Sequence, residues 1–74
     1  MPVIDAIETG NNIKMLRDSA GLKNNDIANA LGFTTNNAIY KWLNGESLPS
    51  LDNIVVLAKI LNVKIDDILI VKTY

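Results

Sequence analysis

The chain has 74 residues, enough for one small domain with a modest core and no second domain. It contains no cysteine and no histidine, which excludes a disulfide framework, a thiolate metal site and the commonest general base. Apolar residues make up 49% of the chain, and a net charge of −1 with a pI near 5.0 gives no whole-chain attraction to a polyanion.

The charge is unevenly spread. Residues 11–45 hold Lys14, Arg17, Lys23 and Lys41 against Asp18 and Asp26, whereas Asp5 and Glu8 leave the first ten residues acidic. No apolar run approaches the roughly 20 residues that span a bilayer. The acidic N-terminal stretch does not read as a signal peptide, so a cytoplasmic location and no membrane partner are expected. With only four aromatics, the apolar excess is aliphatic. Either a helical core absorbs all of it, or part of it is a self-association patch.

Along the chain, Pro2 to Ile7 mixes apolar and acidic residues without a clear period. Thr9-Gly10 is expected to open helix 1, the threonine hydroxyl accepting from an amide one turn on. Ile13, Leu16 and Ala20 then fall on one face, and Gly21 stops the helix. Leu22 reads as a core anchor. Helix 2 is expected over roughly 24–31, with Ile27, Ala28 and Leu31 inward and the small Ala28 allowing close approach of the next helix. Gly32 supplies the turn, and Phe33 plugs the core behind it. Thr35 is the expected N-cap of helix 3, with Thr34 and Asn36 as alternatives. Helical periodicity puts Ile39, Trp42 and Leu43 on one side and Asn36, Asn37, Tyr40 and Lys41 on the other.

Asn44-Gly45 ends helix 3, and Pro49 restricts the connector before it to extended or turn geometry. Ser50 caps helix 4, whose broad apolar face is expected to contain Leu51, Ile54, Val55, Leu57, Ala58 and Leu61. Val56 and Ile60 form a second stripe. After a turn at 62–64, a short fifth helix is expected over 65–69. The tail 68–74 is β-branched and nearly continuous, which permits a strand paired with Pro2–Ala6 or with a second copy of the chain. The expectation is therefore an all-α, compact five-helix domain over 1–74, with short extended terminal segments and a helix-turn-helix at about 24–44.

This pattern resembles the Cro/repressor-type helix-turn-helix family, the lambda-repressor-like DNA-binding domains. The resemblance rests on Ile13, Leu16 and Arg17; on Asp26-Ile27-Ala28 and Leu31-Gly32-Phe33; and on Ala38-Ile39-Tyr40-Lys41-Trp42. Asn44-Gly45, Leu48-Pro49-Ser50, Leu57-Ala58, Leu61, Val63 and Ile65 to Leu69 continue it, so that it covers about residues 10 to 70. It implies a five-helix fold in which helix 3 enters the DNA major groove and helix 2 crosses the backbone. It also implies a dimer on two half-sites about one helical turn apart.

The chain departs from the family pattern at four points. One extra residue separates the turn glycine from helix 3. Lys23 stands where a serine or threonine usually caps helix 2. Asn24 replaces a longer amide, and Leu43 replaces a common acid.

In that frame, Asn36, Asn37 and Tyr40 are the candidates for base edges. A side-chain amide pairs bidentately with adenine, and the N-terminal part of the recognition helix reaches the bases. Lys23, Asn24, Thr35, Lys41 and Asn44 are the phosphate candidates, the first two at a helix N-terminus whose dipole favours anions. The competing reading is that these residues only cap or solubilise their helices. Lys14 and Arg17 add a positive field or simply line helix 1. Asp66-Asp67 reads as a helix-start pair rather than a metal site. No metal, cofactor or catalytic activity is expected.

The expected function is sequence-specific binding of double-stranded DNA as a small transcriptional regulator, in the repressor sense. A homodimer is expected to bury Val56, Ile60, Ile70 and Val71, with core packing as the competing use of those residues. The alternative is a protein-interaction module of the same fold, such as an antitoxin-like or phage-factor partner.

Overall fold

The computed structural model describes all of Met1–Tyr74. Five helices lie between two short strands: β1 (Pro2–Ile4), α1 (Ala6–Ser19), α2 (Asn24–Leu31), α3 (Asn37–Leu43), α4 (Leu51–Leu61), α5 (Ile65–Ile68) and β2 (Val71–Thr73). Every helix contributes to one core of Ile13, Ile27, Ala28, Ile39, Trp42, Leu43, Ile54, Leu57, Ala58, Leu61 and Ile68. Burying one large aliphatic side chain is worth about 1.5–3 kcal/mol. Ile13, Ile27, Ile39, Leu57 and Ile68, all under 2% exposed, therefore hold the five helices together.

Four helices close by the same device. The residue after each helix end, or one beyond, is left-handed: Gly21, Gly32, Gly45 and Asn62. The next amide then reaches back to a carbonyl in the last turn, from Leu22 to Arg17, Phe33 to Ala28, Glu46 to Lys41 and Val63 to Ala58. Leu22, Phe33 and Val63, the apolar residues just past three of these ends, pack against the core. The short G-L, G-F and N-V pairs thus both stop a helix and seal its end.

Helix 1 begins earlier than its sequence indicates. It starts at Ala6, capped by the Asp5 side chain, which accepts from the Glu8 amide at 3.1 Å. Thr9 and Gly10 lie inside the helix and are buried. Gly10 is needed for close approach rather than for termination. A Cβ there would strike the Trp42 carbonyl oxygen and lie 2.9 Å from that of Leu43. Gly45, at φ +77°, sits directly against the first turn of α1, where a Cβ would come within 2.7 Å of Ile7. The two glycines together let α1 lie against the end of α3.

The Thr9 hydroxyl accepts from the Ile70 amide at 3.0 Å and donates to its carbonyl at 3.5 Å. Asn12 Nδ2 donates to the carbonyls of Asp67 and Ile68 at 2.7 and 2.9 Å. Asp5, Thr9 and Asn12 thus form a polar row that ties the C-terminal segment to α1.

The tail pairs with the N-terminus of the same chain. β1 and β2 run antiparallel, with Pro2 opposite Thr73, Val3 opposite Lys72 and Ile4 opposite Val71. The Asp5 amide donates to Ile70 at 2.8 Å, and Lys72 Nζ lies 3.1 Å from Asp5 Oδ2.

On α4 the inward arc is narrower than expected. Leu51 is 85% exposed and Val55 44% exposed, because Leu51 overhangs the end of the core and Val55 points to the side of it. Val56 and Ile60 are half-buried, and Ile60 packs against the core. Helix α5 stops at Ile68, one residue short of the expected end, where Leu69 turns extended.

Candidate nucleic-acid interface

Lysine has no hydrogen-bond acceptor, so Lys23, at the N-cap of α2, caps nothing with its side chain. The reciprocal half of a capping box remains, with Asp26 accepting from the Lys23 amide at 2.8 Å. The same Lys/Asp device starts α5, where Asp67 accepts from the Lys64 amide at 3.0 Å. Asn24 does not take over as the cap. It is the first residue of α2, and its side chain turns to Arg17 instead.

Helix α3 starts at Asn37, with Asn36 in the cap position but making no side-chain capping bond. Thr35 still serves the helix start, its hydroxyl accepting from the Asn37 amide at 3.4 Å. The turn between α2 and α3 runs over residues 32–36. Phe33 packs edge-on to Trp42, ring centres 5.9 Å apart, and seals the inner side of that turn.

The outer side is a polar cleft lined by Arg17, Asp18, Leu22, Lys23, Asn24, Asn25, Asn36 and Tyr40. It therefore unites Lys23, Asn24, Asn36 and Tyr40, candidates taken from two different helices. Asn37, Lys41, Thr35 and Asn44 are exposed but do not line it. Tyr40 stands 53% exposed, while Ile39 and Trp42 on the opposite side are buried. Asn36 Nδ2 donates to Asn25 Oδ1, bridging α2 and the start of α3. Arg17 donates from Nη1 to Asn24 Oδ1 at 2.6 Å, and from Nε and Nη2 to Asp18 Oδ1 at 3.0 and 2.8 Å.

Sequence reasoning does not find Asn25, and it leaves Arg17 as either a source of positive field or a residue lining helix 1. Their partners lie on other helices, eleven and seven residues away. No periodicity within one helix reveals such a pair.

A buried inner side and an amide-rich outer side across two short helices define a helix-turn-helix. Residues 13–68 match the sequence profile of the helix-turn-helix family, and the chain belongs to that family in its Cro/C1-type form, a family of DNA-binding domains and not of enzymes. Among solved structures, it is similar to the restriction-modification controller protein C.AhdI from Aeromonas hydrophila. The two share 25% identity over 86% of this chain and 96% of that one, with a TM-score of 0.77. The five-helix lambda-repressor-like fold is therefore shared, and the β1–β2 ribbon accompanies it here. No curated protein sequence matches the chain. No helix is long and apolar enough to cross a membrane.

Proposed function

We propose that the chain is a sequence-specific transcriptional regulator that docks α3 in the DNA major groove and acts as a homodimer, in the manner of a controller protein or repressor. The observation that carries this reading is the outer face of α2 and α3, where Asn24, Asn25, Asn36 and Tyr40 meet at one cleft above a buried scaffold. Asn36, Asn37 and Tyr40 read base edges, and Lys23, Asn24, Thr35, Lys41 and Asn44 hold phosphates.

Few cations face this side, so few counterions are released on binding. Affinity is then modest and its salt dependence shallow. An electrophoretic shift of the DNA upstream of the protein's own gene tests this. A retarded complex at low salt that declines gently with added salt is expected; no shift with micromolar protein at low salt would remove the proposal.

For the homodimer we propose contact through Val56, Ile60, Ile70 and Val71. Ile70 and Val71 have the free area, at 37% and 54% exposed. Sedimentation of the same samples should show the dimer at high micromolar concentration, and a monomer there removes it. A second reading, a protein-interaction module, draws support from the exposed Ile7, Leu51 and Val55. A stoichiometric protein complex that survives Asn37→Ala, combined with no DNA shift, would favour it.

A further inference from the structure

We infer that Arg17 is a positioning residue for DNA binding, fixing the Asn24 amide so that its Nδ2 donor faces a backbone phosphate. The inference rests on the reading of the α2–α3 face as the DNA interface. The Arg17 side chain is only 16% exposed and is held at both ends of its guanidinium. Its charge meets Asp18 at 2.8 Å, and Nη1 reaches Asn24 Oδ1 at 2.6 Å.

A guanidinium only donates. The amide at Asn24 must therefore present its oxygen to Arg17, since a flip would set its NH2 against another N–H donor. The NH2 end is left without a partner inside the protein and turns away from Arg17. Phosphate oxygens only accept, so the end of the amide turned away is the end a phosphate needs. A freely rotating asparagine would offer its carbonyl, the wrong group, for much of the time.

Asn24 is also the first residue of α2, where the helix dipole favours an approaching anion. Arg17 itself is poorly placed to be a phosphate ligand of its own. Two of its nitrogens are spent on Asp18, whose carboxylate offsets its charge.

A double-mutant cycle separates the two roles. Wild type, Arg17→Met, Asn24→Ala and the double variant are titrated by fluorescence anisotropy across a salt series. The probe is a duplex that the wild type enriches from a randomised pool. Asn24→Ala should bind about tenfold more weakly, as for loss of one hydrogen bond to a charged group. Arg17→Met should be weakened by a smaller factor, because its Asn24 keeps the donor and loses only the orientation. The double variant should be no weaker than the weaker single, and the salt slope of Arg17→Met should equal that of wild type. Losses that multiply, with a slope lowered by about one, would make Arg17 a direct phosphate ligand and overturn the inference.

Asn24→Asp keeps an acceptor for Arg17 and suits a helix start, so it should fold at least as well as wild type. It carries no donor and adds a negative charge toward the DNA, so it should lose at least about tenfold in affinity. Asn24→Asp binding as wild type does would also overturn the inference. A wild type that enriches and binds no duplex would remove the interface reading and this inference together. A wild type that binds, with an additive cycle, removes the inference alone.

Discussion

Gly10 sets how closely α1 can lie against α3. Alanine is favoured over glycine in a helix interior by about 1 kcal/mol, so local propensity alone would make Gly10→Ala stabilising. The added Cβ would instead meet the carbonyl oxygens of Trp42 and Leu43. These are backbone atoms at the end of a helix and cannot rotate out of the way. Overpacking of this kind costs about 1–3 kcal/mol and outweighs the propensity gain. Urea denaturation should therefore show Gly10→Ala less stable than wild type by on the order of 1 kcal/mol or more; equal or greater stability would contradict the close approach. The same residue shows a limit of sequence reading. Thr9-Gly10 looks like a cap followed by a flexible residue, and the need for glycine comes from a contact more than thirty residues away. Local composition carries no trace of it.

At the scale of elements, the ribbon is the part most exposed to solution conditions. The Asp5 carboxyl is held below its ordinary pKa, chiefly by the Glu8 amide it accepts from and further by Lys72. The Lys72 ammonium is held above its ordinary value by its hydrogen bond and charge contact with Asp5. Asp5 thus contributes stability at pH above the usual carboxylate value and loses it as pH falls through the depressed folded value. Lys72 contributes below the usual lysine value and loses its share as pH rises through the raised folded value. The β1–β2 pairing should therefore be firmest across the neutral range and fray in acid. Cross-strand proton contacts between Val3 and Lys72, followed by NMR through an acid titration, should weaken in wild type. In Asp5→Asn they should be weak at neutral pH and insensitive to acid. An acid response in Asp5→Asn equal to that of wild type would contradict the role given to this carboxylate. The β-branched tail announced a strand, but its partner was open between this chain and a second copy. Thr9 and Asn12 settle it by gripping residues 67–70 from α1, and their hydrophilic side chains gave no sign of that work.

Across the whole molecule, the inner positions were the legible ones. Ile27, Ala28, Ile39, Trp42, Ile54, Leu57 and Leu61 follow helical spacing and all reach the core. The glycine and asparagine stops were legible too, because these residues adopt the left-handed conformation that ends a helix, and at Gly21, Gly32 and Asn62 an apolar residue follows to seal the end. Leu51 and Val55 were misassigned inward. Leu51 shares the inner face but opens the helix, where a helical wheel does not show that the core has ended, and Val55 lies one helical step to the side of the buried Ile54. On the outer side, residue types were legible but their partners were not. The links from Arg17 to Asn24 and from Asn36 to Asn25 each join separate helices. They exist only once the core has fixed the helices against one another, so the fold reads from the pattern and the site from the packing.

On the proposed function, the outer face of α2 and α3, and no other, meets DNA. Chemical-shift mapping of the 15N-labelled protein against a duplex enriched from a randomised pool tests it most directly, since it reports on every amide, including the asparagine side chains. The large changes should fall on residues 23–25 and 35–44, including the side-chain NH2 groups of Asn24, Asn36 and Asn37. Changes confined to the ribbon and to α4, with the α2–α3 face unmoved, would contradict the proposed function.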